Sequence, residues 1–270
     1  MRRLLIVALA LAPASCVRQD AVREPVVGQW VWSRDDATLL TEGRAERARL
    51  RSAVWIGTLL RDGHGVRTQL GISPAMVDDA ATTLVIRLDD SLHPLVDSLS
   101  TPALALALGD RVSALLHAAG ATGGHATLQL DYDAPVRLLP RWAAVLRVLR
   151  GSRLHDRPVW ITSLLVHVEQ RDYGRWFGGG IDGHVLQLFD TQVEYTDAMQ
   201  RKVERVVASA GLPCAIGVGA FERVLAGGAR TEHRAWLPWA ARAMREGRVD
   251  ALWIFAANRP YHAMLSSVGL

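Results

Sequence analysis

Eight short apolar runs, spaced at fairly regular intervals and separated by stretches of helical periodicity, constrain this chain more than anything else in it. They are Gly28–Ser33, Ala53–Leu60, Thr82–Leu88, Ala126–Asp131, Val159–Leu164, Gly183–Phe189, Cys214–Val218 and Ala251–Ala256. Each is rich in Val, Ile, Leu or Trp, as strands covered on both faces must be. Between them, Leu138 to Leu149 places Leu138, Leu139, Trp142, Val145, Leu146 and Leu149 on one stripe, the pattern of a helix with one buried face. Tyr195 to Ala210 and Arg234 to Arg245 behave alike, and Gly120, Gly151, Gly211 and Gly247 stand where helix C-terminal caps are expected. Alternating strands and helices imply parallel pairing through right-handed crossovers. Eight repeats predict a (β/α)8 TIM-type barrel, α/β in class, somewhat irregular and built as a single domain. Two places depart from the repeat. Asp62-Gly63-His64-Gly65 reads as a hairpin turn into a further strand, Val66 to Leu70, and Tyr173 to Phe177 leaves room for one helical turn only.

The first residues read as an export signal outside the fold. Arg2 and Arg3 precede an apolar run, Leu4 to Ala12, too short to span a bilayer. Pro13-Ala14-Ser15-Cys16 resembles the lipobox of bacterial lipoproteins, with Pro13 where a leucine-like residue is usual. What that resemblance implies is a signal over residues 1–15, acylation of Cys16, a tether over 16–25 and a barrel over 26–270, anchored to a membrane of the cell envelope through its lipid. Val17 follows the cysteine, so outer-membrane sorting is expected in a Gram-negative host. With Cys16 so used, Cys214 has no disulfide partner and is expected to be a small buried hydrophobe.

The net charge of +4 does not point to nucleic acid. Lys202 is the only lysine, and arginines alternate with acids rather than forming a block. No cofactor motif is present, and no metal spacing such as His-Glu-x-x-His occurs. A metal site built from Asp131, Asp133 and His167 at separate strand ends stays open as an alternative. Gly217-Val218-Gly219 could cradle a phosphate, although turn geometry explains a lone Gly-x-Gly better. There is no nucleophile elbow.

The active site of such a barrel lies at the C-terminal ends of its strands. There Trp32, Arg34, Arg87, Gln187 and Asn258 are candidate ligand-binding residues, and Asp131, Asp133 and Asp190 candidate catalytic acids. Along Leu128 to Asp133, alternation puts Gln129, Asp131 and Asp133 on one face and Leu128, Leu130 and Tyr132 on the other. Two neighbouring carboxylates repel each other, so such a pair is costly for folding; it reads as a site or, alternatively, as a solvated turn where Asp bonds locally. Nine tryptophans against four Phe and four Tyr supply flat faces on which sugar rings stack. Trp32 and Trp176 are candidate platforms, and Trp142, Trp236 and Trp239 are expected in the core.

Val31-Trp32-Ser33-Arg34, Leu128 to Pro135 and Trp160 to Ser163 resemble the strand-end motifs of an uncharacterised bacterial family of exported TIM-barrel proteins, domain of unknown function three-one-four-two, distantly similar to glycoside hydrolases. The resemblance implies a carbohydrate-type cleft holding Trp32, Arg34, Asp131 and Asp133, with a glycan as ligand. The Asp-x-Asp spacing is also similar to the chitinase-type strand four, Asp-x-Asp-x-Glu, whose terminal Glu is the acid. Here Pro135 holds that place, and proline carries no proton to give. Either another carboxylate (Asp190, Asp89 or Glu169) takes the role in a glycosidase-like hydrolase, or the protein binds polysaccharide or a partner protein without cutting.

Overall fold

The computed structural model describes residues 26–77, 82–121, 123, 126–189, 195–224, 230–232 and 235–270. Its strands are β1 (Val26–Val31), β2 (Arg51–Asp62), β3 (Gly65–Leu70), β4 (Thr83–Leu88), β5 (Leu128–Asp131) and β6 (Val159–Ser163). They continue with β7 (Gly183–Gln187), β8 (Cys214–Gly219), β9 (Glu222–Val224), β10 (Arg230–Glu232) and β11 (Ala251–Phe255). The helices are α1 (Arg34–Glu46), α2 (His93–Ser98), α3 (Thr101–Ala118), α4 (Leu139–Ser152) and α5 (Leu165–Val168). They end with α6 (Tyr173–Phe177), α7 (Asp197–Ala210), α8 (Trp236–Arg245) and α9 (His262–Ser266).

β1, β2, β4, β5, β6, β7, β8 and β11 pair in parallel, and β1 closes the ring by pairing with both β11 and β2. The eight expected strands are these eight. The hairpin turn at Gly63 has the positive φ of 56° that a glycine tolerates, and it sends β3 back along β2 antiparallel. A register shift between Trp55 and Gly57 bends β2, so its first half pairs with β1 and its second half with β3. β9 and β10 form a small hairpin after β8.

The core has two parts. Outside the barrel, Leu, Ile and Val of the strands meet the apolar faces of the helices, with Trp142, Trp236 and Trp239 all buried there as expected. Inside it, Trp30, Val85, Val185, Phe189, Ala215 and Trp253 fill the bore. Three indoles lie against glycines of other barrel strands: Trp253 over Gly28, Trp160 over Gly183 and Trp30 over Gly217. A Cβ at any of the three glycines would fall under 3.0 Å from an indole carbon. Gly217 and Gly219 therefore make neither a turn nor a phosphate cradle: Gly217 gives Trp30 room, and Gly219 lies against Phe189 and Phe221. Among the expected caps, Gly120, Gly211 and Gly247 have positive φ, but Gly151 lies inside α4, which continues to Ser152 and is capped by Arg153. Cys214 is buried, and burial pushes its thiol pKa up. No described helix is long and apolar enough to cross a membrane.

Candidate functional site

β4, β5, β6 and β7 deliver a set of polar side chains to the C-terminal mouth of the barrel. Alternation along β5 holds: Gln129 and Asp131 point into the bore, with Asp133 above them, whereas Tyr132 packs outward against Trp142 and His93. Arg87 of β4 is the register partner of Asp131. The Asp131 carboxylate is 5% exposed. Its Oδ1 accepts from Thr162 Oγ1 at 2.6 Å and from Gln187 Nε2 at 3.4 Å. The Thr162 oxygen accepts in turn from the backbone N–H of Tyr132 at 3.2 Å, which commits the hydroxyl proton to Asp131. Burial raises the Asp131 pKa above the ordinary carboxylate value of 3.8, opposed by the hydrogen bonds from Thr162 and Gln187 and by the charge of Arg87. Asp133 is half-buried and faces Arg87 across a loose 3.9 Å ion pair.

These groups line one side of a cavity of 190 Å³, and Trp30, Trp32, Phe189 and Phe255 line the other. Trp32 is stabilised by stacking on Trp55, with centroids 5.6 Å apart and planes at 16°, and meets Phe255 edge-on. Deeper in, the indole N–H of Trp30 donates to Gln129 Oε1 at 3.3 Å. An apolar aromatic wall facing acids and amides suits a molecule with flat C–H faces and polar edges.

Comparison with solved structures bears on the barrel fold. No family model and no curated protein matches the sequence. The fold matches the GH18 chitinase ChiB from the chitin utilization locus of Flavobacterium johnsoniae with a TM-score of 0.65 at 10% identity, over 90% of this chain and 92% of that one. A GH18 chitinase from Cycas revoluta in complex with (GlcNAc)4 matches with 0.63 at 12% identity, over 90% and 98%. The spore cortex-lytic enzyme SleL of Bacillus megaterium matches with 0.63 at 7% identity, over 90% and 73%. The barrel fold is shared. At these identities the likeness shows the fold alone.

The remaining expected site residues divide by position. Trp32, Arg87, Asp131, Asp133 and Gln187 line the cavity. Arg34 and Asn258 are at the same rim but do not. Arg34 is an exposed first residue of α1, while Asn258 turns the chain after β11 in a left-handed conformation with φ 60° and accepts from Ser33 Oγ at 2.5 Å. Asp190 lies outside the described residues, as do Cys16 and the expected signal and tether. Asp89 caps the turn after β4 by accepting from Ser91 N–H, and hydrogen bonding to the Ser91 side chain and backbone lowers its pKa. Glu169 is paired with Lys202 at 2.6 Å, and neither acid lines the cavity. Trp176 packs on the outer core and is no platform. His167 is buried outside the cavity, where its Nδ1 accepts from Leu164 N–H and burial lowers its pKa to about 4. It does not join the acid pair, and the described residues contain no cluster of metal-ligating side chains.

Two contributors are not singled out by the sequence. Alternation places Gln129 on the inward face but assigns it no role. Asp36, inside α1, is 1% exposed; it accepts from the backbone N–H of Trp32 and of Asn258, both at 3.0 Å. Ser33-x-x-Asp36 is a helix-start signature that could have revealed it.

Proposed function

We propose that this protein binds an uncharged saccharide in the mouth of its barrel, in a cleft of glycoside-hydrolase type, without cleaving it. The observation that carries this is the cavity in which an aromatic wall of Trp30, Trp32, Phe189 and Phe255 faces Asp131, Asp133, Arg87 and two glutamine amides. Aromatic faces take the C–H faces of a sugar ring, and the acids and amides take its hydroxyls. Pro135 stands where the chitinase-type strand carries its acid, and the described carboxylates that reach the cavity are Asp131 and Asp133 alone. One observation favours hydrolysis as a second reading. Burial holds Asp131 towards its protonated form, as a general acid must be.

A panel of oligosaccharides assayed for both binding and cleavage separates the two. Binding by the wild type, weakened by Asp131→Asn and Asp133→Asn, with no product from any sugar, supports the first reading. Product formation abolished by Asp131→Asn while binding persists supports the second. No binding and no product would remove both. The neighbour found in complex with (GlcNAc)4 makes chito-oligosaccharides the first probes to try.

The proposal extends to location: the protein is exported, and Cys16 is acylated and tethers the barrel to the cell envelope. Labelled palmitate should enter the wild type and not Cys16→Ser. Equal incorporation, or none in either, would overturn it.

A further inference from the structure

We propose that Gln129 selects what enters the cavity, its side-chain amide donating to an acceptor oxygen of an uncharged saccharide and disfavouring a cationic one. This deepens the saccharide reading above and rests on it. Gln129 is 1% exposed and lines the cavity. It precedes Asp131 by two residues on the same face of β5, which puts it one layer, about 6.5 Å, deeper in the bore.

The orientation of its amide is set by its neighbour. Trp30 Nε1 is a donor only, so the Gln129 atom it meets must be the oxygen, as observed at 3.3 Å. Trp30 is itself held between Trp253, stacked at 6.2 Å, and Phe189, edge-on at 5.9 Å. Nε2 is thereby left as the donor, and it is buried with no acceptor among the described residues. A buried donor without an acceptor costs stability, and a ligand oxygen at the floor of the cavity would relieve that cost.

Charge narrows the ligand further. Asp133, and Asp131 when ionised, disfavour an anionic sugar. They would attract an ammonium group, and Arg87 already faces Asp133. What opposes a cation at the floor is the Nε2–H pair of Gln129, which presents positive hydrogen to it. A neutral hydroxyl, which both donates and accepts, is the group that satisfies both the acids above and the amide below.

Gln129→Glu tests this, because it keeps an oxygen for Trp30 and replaces the donor by an acceptor. Titration calorimetry would use cellotetraose, maltotetraose and tetra-N-acetylchitotetraose as neutral probes, tetraglucosamine as the cation and tetragalacturonate as the anion. The expected result is that the wild type binds a neutral probe at least tenfold more tightly than either charged one. Gln129→Glu should lose at least tenfold for that probe at neutral pH, recover part of it in acid as the introduced carboxylate protonates and donates again, and gain affinity for tetraglucosamine. Unchanged neutral-sugar binding in the variant, or a wild type that prefers tetraglucosamine, overturns the role of Gln129 and leaves the saccharide reading standing. A wild type that binds none of the probes overturns both. Should Gln129→Glu fail to fold, the side-chain NH2 resonances of Gln129 in the labelled wild type decide: a shift on adding the bound sugar supports the inference, and no shift overturns it.

Discussion

Two carboxylates are buried at the same end of this barrel, and they do different work. Asp36, at the exit of β1, accepts from two backbone N–H groups, those of Trp32 and Asn258. It joins the start of α1 to the turn after β11, where Ala257 and Asn258 hold successive left-handed conformations, φ 49° and 60°. Such backbone persists only where its surroundings enforce it. The backbone carbonyl of Asp36 also accepts from Gln29, whose own Oε1 accepts from Tyr261, so this corner is tied entirely within the protein. Asp131, across the mouth, has its Oδ1 occupied by two side chains, Thr162 and Gln187, and the residue lines the cavity. Burial alone does not tell a structural acid from one at a site. The partners do: backbone donors on both oxygens make a clamp, whereas side-chain donors on one oxygen leave the other for a ligand.

The same substitution at both positions exposes that difference. Asp36→Asn must turn an NH2 towards one of two half-buried N–H donors, which should cost about 3 kcal/mol and lower Tm by roughly 6–12 °C for a domain of this size. Thermal and urea melts would show it, and a loss under about 1 kcal/mol would erase the distinction between the two corners. Asp131→Asn keeps an oxygen for Thr162 and Gln187, so its stability should stay within about 1 kcal/mol of wild type. Its affinity for the bound saccharide should fall about tenfold, worth about 1.4 kcal/mol. A large fall in Tm with unchanged affinity would make Asp131 a second clamp.

The pH dependence sharpens the contrast. Because the Asp131 pKa is raised in the folded state, the native protein holds that proton more tightly than the unfolded chain. Stability from this group is then fully present below the ordinary value of 3.8 and is lost as pH rises through the folded pKa. Asp131→Asn should therefore gain stability relative to wild type as pH is raised through that window and level off beyond it. Urea melts across the range test this, and a difference that does not vary with pH would contradict it. The smallest effect is expected at Trp55, which supports Trp32 from behind without reaching the cavity. Trp55→Ala should weaken saccharide binding by about 0.5–1 kcal/mol. A loss as large as that of Trp32→Ala would mean that Trp55 touches the ligand itself.

The eight barrel strands, the β2–β3 hairpin and the two faces of β5 could be read from the sequence, because they follow from apolar runs, turn chemistry and alternation, which act over a few residues. Position at the strand C-terminal ends placed Asp131, Asp133, Arg87, Gln187 and Trp32 at the mouth. Tertiary structure decided which rim residues turn inward. Arg34 and Asn258 leave the wall because α1 begins at Arg34 and because Asn258 is pulled into the Asp36 clamp, 222 residues away in the sequence. Gln129 became a candidate donor only when closure of the barrel set it against Trp30, 99 residues distant. Gly217, a turn or a cradle by its spacing, is instead the space for that same indole. Local pattern fixes which face a side chain takes. What it meets there depends on strands far apart in sequence, brought together when the sheet closes.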